Sequence, residues 1–168
     1  EWSSNKLDNT TLIPISCRAY EVDGEVFVEA RCFTQYGEIE NRKLDAYIFG
    51  TKYQGMEEVY EYCINGDGTI RLHHIISPES SQPVLLGRIG LTMTLNDNMQ
   101  QVGYYGRGPE ENYPDRKSGY PIGVYQTTVD EMYEPYLIPQ DHGLRCDNRW
   151  LTVCNSAGHG LRFSMDEE

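Results

Sequence analysis

Hydrophobic and polar residues alternate with a period of two along much of the chain, which is the pattern of strands buried on one face. Residues 25–33 are the clearest case, since the even-numbered positions from Val26 to Cys32 are all apolar. Similar runs predict further strands at 13–20, 44–49, 58–64, 69–76, 84–95, 100–105, 150–155 and 160–165. No long amphipathic helix is predicted, and only residues 129–133 have the composition of a short helical turn.

Residues that tolerate a positive φ separate several of these strands, as β-hairpins require. Asp23-Gly24 follows the strand at 13–20, and residues 65–68 (Asn-Gly-Asp-Gly) separate the strands at 58–64 and 69–76. The sequence Gly-His-Gly at 158–160 predicts a third hairpin turn. Strands joined in this way without intervening helices predict an all-β fold, specifically a large antiparallel β-sandwich.

The length and the charge of the chain restrict its organisation and its partners. A chain of 168 residues has the size of one domain, so we predict a single domain over 1–168. Asp and Glu number 26 against 14 Lys and Arg, giving a net charge of −12. Such a surface repels phosphate backbones and anionic lipid, so we expect no nucleic-acid or membrane partner. Because the chain opens with Glu1 rather than Met, we expect a piece of a longer protein.

The cysteines and histidines predict no metal site. The five cysteines include no CxxC pair, and their odd number argues against a disulfide framework. We therefore expect buried free thiols and a reducing compartment, which favours the cytoplasm and leaves the periplasm as the alternative. Neighbouring residues on a strand point to opposite faces, so His73 and His74 cannot bind one ion together.

Catalytic constellations are also missing from the sequence. It contains no GxSxG motif, and His142 and His159 lie in glycine-containing loops without a nearby carboxylate cluster. Glu110-Glu111 is the obvious pair for glycoside hydrolysis, which needs two carboxyls flanking one sugar bond. Adjacent residues in an extended loop diverge, so we assign this pair no catalytic role.

The segment that contains this pair, residues 104–121 (YYGRGPEENYPDRKSGYP), has the composition of a rigid loop. Gly106 and Gly108 allow the backbone to turn or to approach another group closely. Asn112 can close a turn by hydrogen-bonding its own backbone.

The second half of the segment suits an interface between domains. Pro114 ends any strand ladder, which leaves Asp115 and Arg116 available to pair with each other. Each tyrosine of the segment combines an apolar ring with one polar atom, as half-buried contact surfaces require. We therefore predict a scaffold loop that docks on another domain.

Residues 106–116 (GRGPEENYPDR) resemble the GxGPxENYPDR signature of the β-galactosidases of glycoside hydrolase family two, in their C-terminal small-chain domain. Further family blocks match in order and spacing at 132–136, 139–145, 149–151 and 158–163, whereas residues 1–98 match in pattern only. The family usually has Pro-Gln-Glu-Asn-Gly where this chain has Asp141-His142 before the glycine. The turn should survive this departure because Gly143 is kept.

The resemblance implies a fold and a function. The fold would be a supersandwich similar to that of galactose mutarotase. The parent enzyme would be a retaining β-galactosidase that hydrolyses terminal β-D-galactosides such as lactose, with its two catalytic glutamates on a separate (β/α)₈ barrel. The resemblance therefore places no catalytic residue in this segment and gives it the role of bracing and shaping the active site.

The resemblance also implies partners and cofactors. The partners would be the catalytic barrel and other domains, in the same chain or in a large subunit, within a homo-oligomer. No cofactor is expected in this segment, whereas the parent enzyme is expected to use Mg²⁺ and Na⁺. The residues that carry the family signature, with a role in domain packing, are Gly106, Gly108, Pro109, Glu111, Asn112, Tyr113, Pro114, Asp115, Arg116, Pro139, Gly143, Arg145, Arg149 and Trp150.

Two other functions stay open at this point. A stand-alone carbohydrate-binding sandwich would use some of the 13 tyrosines to stack on sugar rings, and no catalytic barrel would be encoded beside it. An enzyme similar to an aldose epimerase is suggested by fold analogy alone, and it needs an acid and a base in one cleft.

Overall fold

A computed structural model describes residues 9–36, 55–79, 88–138 and 141–165. The predicted strand at 44–49 and the signature residue Pro139 lie outside these ranges. The described residues form eight strands in two antiparallel four-stranded sheets without an α-helix. The all-β prediction is therefore confirmed, and the two sheets are consistent with a β-sandwich. Within the described ranges, no helix has the length and apolarity that crossing a bilayer requires.

The chain divides into two compact units, Glu1–Ile89 and Gly90–Glu168. The prediction of a single domain stays a prediction. The first unit contains one sheet with the strand order β1-β2-β3-β4. Its strands are β1 (Thr10–Val22), β2 (Glu25–Tyr36), β3 (Gly55–Ile64) and β4 (Ile70–Glu79). Four of the predicted strands are confirmed here, and each is longer than its sequence pattern.

Both hairpin turns of the first sheet have the backbone that their residues predict. Asp23 and Gly24 have φ values of 53° and 85°, as a two-residue turn that follows the strand twist requires. Between β3 and β4, Gly68 has a φ of 89°. The Gly68 N–H donates to the Asn65 carbonyl at 3.0 Å, which closes this turn.

Each outer strand of the first sheet contains a proline. Pro14 lies in β1 beside a register shift between Pro14 and Ser16, and Pro78 lies near the end of β4. A proline has no N–H to donate, so a sheet tolerates it on an outer strand and not on a central one. The positions of the two prolines therefore agree with the strand order.

Phe33 of β2 packs closely over Gly55 of β3. Phe33 is 1% exposed, and a Cβ atom added to Gly55 would lie 2.5 Å from its ring. The ring therefore covers the glycine backbone, which compensates for the missing side chain of Gly55. Cys32 and Tyr36 are buried on the same strand as Phe33.

All five cysteines are free thiols, as expected, but their predicted burial is confirmed only for Cys32. Cys17 is exposed because β1 is an outer strand, and the other three cysteines are half-buried. Burial raises the pKa of the Cys32 thiol, which keeps this group protonated and inert.

The second unit contains a sheet with the strand order β6-β5-β7-β8. Its strands are β5 (Gln101–Arg107), β6 (Ile122–Thr128), β7 (Trp150–Cys154) and β8 (Gly160–Ser164). The predicted helical turn is a 3-10 helix at Asp130–Met132. The central strand β5 carries Val102 and Tyr104, which are 5% and 1% exposed. The turn between β7 and β8 is confirmed by a φ of 81° at Gly158.

Strand β6 is missed by the hydrophobic pattern. Its less exposed positions are Gly123, Tyr125 and Thr127, whereas Ile122 and Val124 are 40% and 64% exposed. The apolar residues of β6 therefore mark the outward face, and its inward face has no aliphatic residue to reveal it.

The predicted strand at 84–95 is wrong for its described part, since residues 88–95 contain no strand. Ile89, Leu91 and Met93 are 54%, 59% and 64% exposed. Alternation shows only that one side of a segment is apolar. A strand also needs a hydrogen-bonded neighbour, and the described residues contain none paired with this segment.

Candidate functional site

The signature loop, residues 108–121, connects β5 to β6 and is bound to the segment 141–149 that precedes β7. Backbone hydrogen bonds join the two segments. Asn112 N–H donates to the Leu144 carbonyl at 2.8 Å, and Arg107 N–H donates to the Cys146 carbonyl at 3.1 Å. The signature residues at 106–116 and the downstream block at 141–149 therefore form one local structure.

Asn112 is the centre of this local structure, and its side chain is fully buried. Its Nδ2 donates to the carbonyls of Arg107 at 3.0 Å and Glu110 at 3.1 Å. Its Oδ1 accepts from the Cys146 N–H at 2.8 Å. The amide therefore does not bond its own backbone as predicted; it bonds the backbone of two preceding residues and, through Cys146, reaches across the two segments.

The signature glycines are places where side chains approach the backbone closely. A Cβ atom added to Gly108 would lie 2.4 Å from the hydroxyl of Tyr104, which donates to the Pro109 carbonyl at 2.9 Å. A Cβ atom added to Gly106 would lie 2.0 Å from Oδ1 of Asn148. The predicted close approach is confirmed at both glycines, and neither position has space for a larger residue.

Glu111 is 6% exposed and accepts two hydrogen bonds within the loop. Arg116 Nη2 donates to Oε1 at 2.7 Å, and Tyr113 Oη donates to Oε2 at 2.8 Å. Burial by itself raises the pKa of Glu111, but the bonds from Tyr113 and Arg116 outweigh it, so the pKa is lowered overall. Glu111 is therefore a structural carboxylate that is held ionised.

The predicted pairing of Asp115 with Arg116 is wrong, because Arg116 pairs with Glu111 instead. Residues 113–116 form a tight turn in which the Arg116 N–H donates to the Tyr113 carbonyl at 2.8 Å. Pro114 occupies the second position of this turn, where its fixed φ is favoured. The turn directs the Arg116 side chain back toward the preceding residues.

A second charged contact holds the start of the loop. Arg107 Nε lies 2.5 Å from Oδ2 of Asp147, and Lys117 Nζ lies 3.1 Å from Oδ1 of the same residue. Arg107 Nη1 also donates to the Tyr120 carbonyl at 2.9 Å. The hydrogen bonds from Arg107 and Lys117 lower the pKa of Asp147. Sequence reasoning did not identify Asp147 as part of the site. Its backbone has a φ of 54°, and the only hint of this in the sequence is that aspartate tolerates a positive φ better than most residues.

The turn at Asp141-His142-Gly143 survives the departure from the family pattern, as predicted. Gly143 has a φ of 94°, and a Cβ atom there would lie 1.9 Å from the Met132 carbonyl oxygen. His142 Nδ1 lies 2.6 Å from the Glu134 carbonyl, and its ring stacks on Tyr133 with centroids 5.0 Å apart. The histidine therefore joins the turn to the segment that follows the 3-10 helix.

The remaining signature residues lie along the start of β7. Arg145 Nη1 donates to the Gly143 carbonyl at 2.7 Å, while its buried Nε has no hydrogen-bond partner. Arg149 donates to the Asp147 carbonyl, and its guanidinium lies 5.6 Å from the centre of the Tyr105 ring. Trp150 is the register partner of Tyr105.

Glu110 and Glu111 do not form a catalytic pair. Glu110 is exposed, whereas Glu111 is buried and bound to Arg116. The predicted divergence of the two side chains is thus confirmed. His73 and His74 also diverge as predicted, with contacts to Glu61 at 3.2 Å and to Glu58 at 2.9 Å respectively. The described residues contain no group of three or more potential metal ligands from His, Cys, Asp or Glu.

A polar cluster on the first sheet surrounds Glu58 and is another feature that sequence reasoning missed. Glu58 is 8% exposed and accepts from Thr34 at 2.5 Å, from Tyr60 at 2.6 Å and from His74 at 2.9 Å. Burial raises the pKa of Glu58, but these hydrogen bonds outweigh it and lower the pKa overall. Burial and the Glu58 carboxylate raise the pKa of Tyr60. The acid and the histidine are bound to each other, so they do not form the open cleft of an epimerase.

An exposed apolar surface lies on the segment 129–138, which follows β6. Val129 and Tyr133 are 42% and 57% exposed, and Ile138 and Leu137 are 75% and 101% exposed. Large exposed apolar side chains are typical of interaction surfaces where they form one patch. Segment 129–138 contacts the segment 141–149 through the stacked rings of Tyr133 and His142.

These features define an antiparallel β-sheet protein with a rigid loop and an adjoining apolar surface, and with a structural function for the loop carboxylates. The chain belongs to the family described as beta galactosidase small chain, whose sequence profile matches residues 2–167. The predicted family is therefore confirmed.

Individual relatives agree with this assignment. The chain is 44% identical to a beta-galactosidase of Vibrio cholerae serotype O1 over 94 residues, which is 56% of this chain and 9% of that protein. It is 36% identical to a beta-galactosidase of Priestia megaterium over 100 residues, or 60% of this chain and 10% of that protein. A beta-galactosidase of Vibrio vulnificus is 33% identical over 125 residues, or 73% of this chain and 12% of that protein. The chain thus spans about a tenth of the length of these relatives.

Proposed function

We propose that the chain is the non-catalytic small-chain domain of a retaining β-galactosidase that hydrolyses terminal β-D-galactosides such as lactose. The observation that carries the proposal is the match of residues 2–167 to the small-chain family. The relatives named beta-galactosidase are matched over only 9% to 12% of their length. The two catalytic glutamates then belong to a separate (β/α)₈ barrel.

The role of the domain is to brace and shape the active site on that barrel. Catalytic groups must be held to within about 0.5 Å, which a rigid neighbouring domain can provide. The signature loop supports this role because its buried groups, Asn112 and Glu111, are fully occupied with internal hydrogen bonds. These hydrogen bonds make the loop rigid and leave it without a catalytic role.

The segment 129–138 is the surface through which we expect the domain to dock. Leu137 and Ile138 expose most of their apolar area, and burying it against another domain is favourable by about 25 cal/mol per Å². The partner is the catalytic barrel or another domain of the same enzyme, in one chain or in a large subunit. The parent enzyme is expected to be a homo-oligomer that uses Mg²⁺ and Na⁺ and works in the cytoplasm.

The proposal is tested with a chromogenic β-galactoside. We expect the purified 168-residue chain to show no turnover, because both catalytic carboxylates lie elsewhere. Addition of a polypeptide that carries the catalytic barrel but lacks this domain should restore activity. Clear turnover by the chain alone, or a barrel polypeptide that is fully active without it, would contradict the proposal.

A stand-alone carbohydrate-binding module is the second candidate, and one observation favours it. The first sheet carries exposed aromatic and charged side chains around a surface depression. The coding sequence around the chain distinguishes the two candidates, because a module without enzyme would have no catalytic barrel encoded in the same or a neighbouring frame.

A further inference from the structure

One face of the second sheet is more exposed than the other, which carries the buried residues Val102 and Tyr104. Register partners in an antiparallel sheet lie on the same face. The more exposed face, which we call the arginine face, therefore consists of two rows of strand residues and the adjacent Arg149. The rows are Val124, Tyr105, Trp150 and Ser164, and Gln126, Gly103, Thr152 and Arg162.

Aromatic rings and guanidinium groups lie beside one another on the arginine face. The guanidinium of Arg149 lies 5.6 Å from the centre of the Tyr105 ring, and that of Arg162 lies 5.1 Å from the Trp150 ring. The two rings have centroids 6.5 Å apart. Trp, Tyr and Arg are the residue types that contribute most to binding at protein interfaces, so this grouping is typical of an interaction surface.

Both arginines have N–H groups available to a partner. A contact with an aromatic ring uses the positive charge of the guanidinium and does not consume its five N–H donors. Arg149 bonds the Asp147 carbonyl, and the Arg162 side chain makes no hydrogen bond or ion pair within the described ranges. The ring contacts also restrict both side chains, which lowers the entropic cost of ordering them against a partner.

The arginine face is locally positive although the whole chain has a net charge of −12. Its eight strand residues include no Asp or Glu. The nearby Asp147 carboxylate is already paired with Arg107 and Lys117. Exposed charges farther apart than about 8 Å are largely screened at physiological ionic strength. A partner that contacts this face is therefore attracted by the arginines rather than repelled by the net charge.

We propose that the arginine face binds an acidic segment of the remaining enzyme polypeptide, one that carries Asp or Glu beside apolar side chains. The inference rests on the proposed function, because that function makes the chain one domain of a larger enzyme. Carboxylates of the segment pair with Arg149 and Arg162, since carboxylates match the geometry of a guanidinium. Its apolar side chains cover Val124, which is 64% exposed.

Two other occupants fit the arginine face less well. A small anion such as phosphate would pair with an arginine but leave the apolar area of Val124 in water, so that burial of this area would contribute nothing. A second copy of this chain in a symmetric dimer would place the same face against itself. That arrangement brings arginines toward arginines, and like charges repel.

The test is isothermal titration of the 168-residue chain with the polypeptide that carries the catalytic barrel but lacks this domain. Arg162→Gln should weaken binding about tenfold, as the loss of a strongly contributing interface residue predicts. Arg71→Gln is the matched control and should leave the affinity unchanged, because it removes the same charge from an exposed position of the first sheet. Binding of the unchanged chain should weaken as the salt concentration rises from about 0.05 M to about 0.5 M.

Val124→Glu and Val124→Lys form a second pair of variants that reports the charge of the partner. Both place a charged side chain at the same exposed position, so their melting temperatures should agree. Against an acidic segment, the Glu variant should bind about tenfold more weakly than the Lys variant. Equal affinity of these two variants, or unchanged affinity of Arg162→Gln, overturns the proposal.

The outcomes separate this inference from the bracing function. If the polypeptide binds and hydrolysis is restored equally with every variant, the bracing function stands and the acidic-segment proposal fails. If the polypeptide does not bind the unchanged chain at all, both fail. A dimer of the chain alone that Arg162→Gln dissociates, measured by analytical ultracentrifugation, would assign the arginine face to a second copy and would also overturn the proposal.

Discussion

Glu111 holds the tight turn of the signature loop through Arg116 and Tyr113. Its carboxylate is buried, and its pKa is lowered because the two hydrogen bonds outweigh the effect of burial. A lowered pKa in the folded state means that the ionised carboxylate stabilises the fold. This contribution is complete above the ordinary pKa of glutamate, about 4.3, and is lost as the pH falls through the lower folded pKa.

Glu111→Gln should therefore lower the stability of the chain near neutral pH and flatten its loss of stability on acidification. The measurement is the midpoint of urea unfolding near neutral pH and at about pH 3.5. Glu110→Gln is the matched control, because the neighbouring Glu110 is exposed. Equal pH dependence in the Glu111 variant and the unchanged chain would disprove a folding role for this carboxylate.

At the residue scale, sequence predicts local contacts better than distant ones. A turn-forming role for Asn112 could be expected from its residue type, but its bond to Cys146 could not, because that partner is 34 positions away. The partner of Arg116 could not, because the turn at 113–116 selects Glu111 over the adjacent Asp115. Asp147 was missed because its two cationic partners are 30 and 40 positions away.

Asn112 joins the loop after β5 to the segment before β7, in addition to the backbone hydrogen bonds and the ion pairs of Asp147. Asn112 donates to Arg107 and Glu110, and it accepts from Cys146. Removal of the amide would leave the Arg107 and Glu110 carbonyls and the Cys146 N–H without these partners. A buried polar group without a partner costs about 1–3 kcal/mol.

Asn112→Ala should destabilise the chain by about 3 kcal/mol for this reason. The change is measured as the free energy of unfolding from urea titrations at constant pH. Asn98→Ala, at an exposed asparagine whose side chain makes no described hydrogen bond, should stay within about 0.5 kcal/mol of the unchanged chain. Similar values for the two variants would show that Asn112 does not hold the segments together.

At the scale of elements, the hairpins could be predicted because their turn residues act locally. Asp23-Gly24 and Gly68 have the positive φ values that their residue types favour. Strand β6 could not be predicted, since its inward positions include Gly123 and Thr127. At 88–95 the pattern predicted a strand that does not form. The alternation of apolar and polar residues does not specify a neighbouring strand with which this segment could pair.

At the scale of the whole molecule, the family could be predicted from the ordered motifs, whereas the exposure of the apolar residues in 129–138 could not. The three acidic residues and the proline of 129–138 argue against a core strand, but they do not indicate how far Leu137 and Ile138 are exposed. In the structure, Leu137 and Ile138 are 101% and 75% exposed. An apolar surface of this kind stabilises an assembly only when another domain covers it.

Leu137→Asp in the intact β-galactosidase should therefore reduce assembly, because it would place a charge in the proposed interface. The assembled fraction, measured by size-exclusion chromatography, and the rate of galactoside hydrolysis should decrease together. The melting temperature of the isolated chain should stay unchanged. Glu110→Asp, at an exposed site that already carries a charge, is the control. Full assembly of the Leu137 variant would place the interface elsewhere on the domain.

The prolines of the first sheet have a consequence for how copies of the molecule meet. Pro14 lies in the outer strand β1, and Pro78 lies in the outer strand β4. An incoming β-strand needs an unbroken series of amide groups to extend a sheet, and aggregation by edge-to-edge templating depends on the same groups. Edge-to-edge pairing between copies is therefore disfavoured at these two described strands.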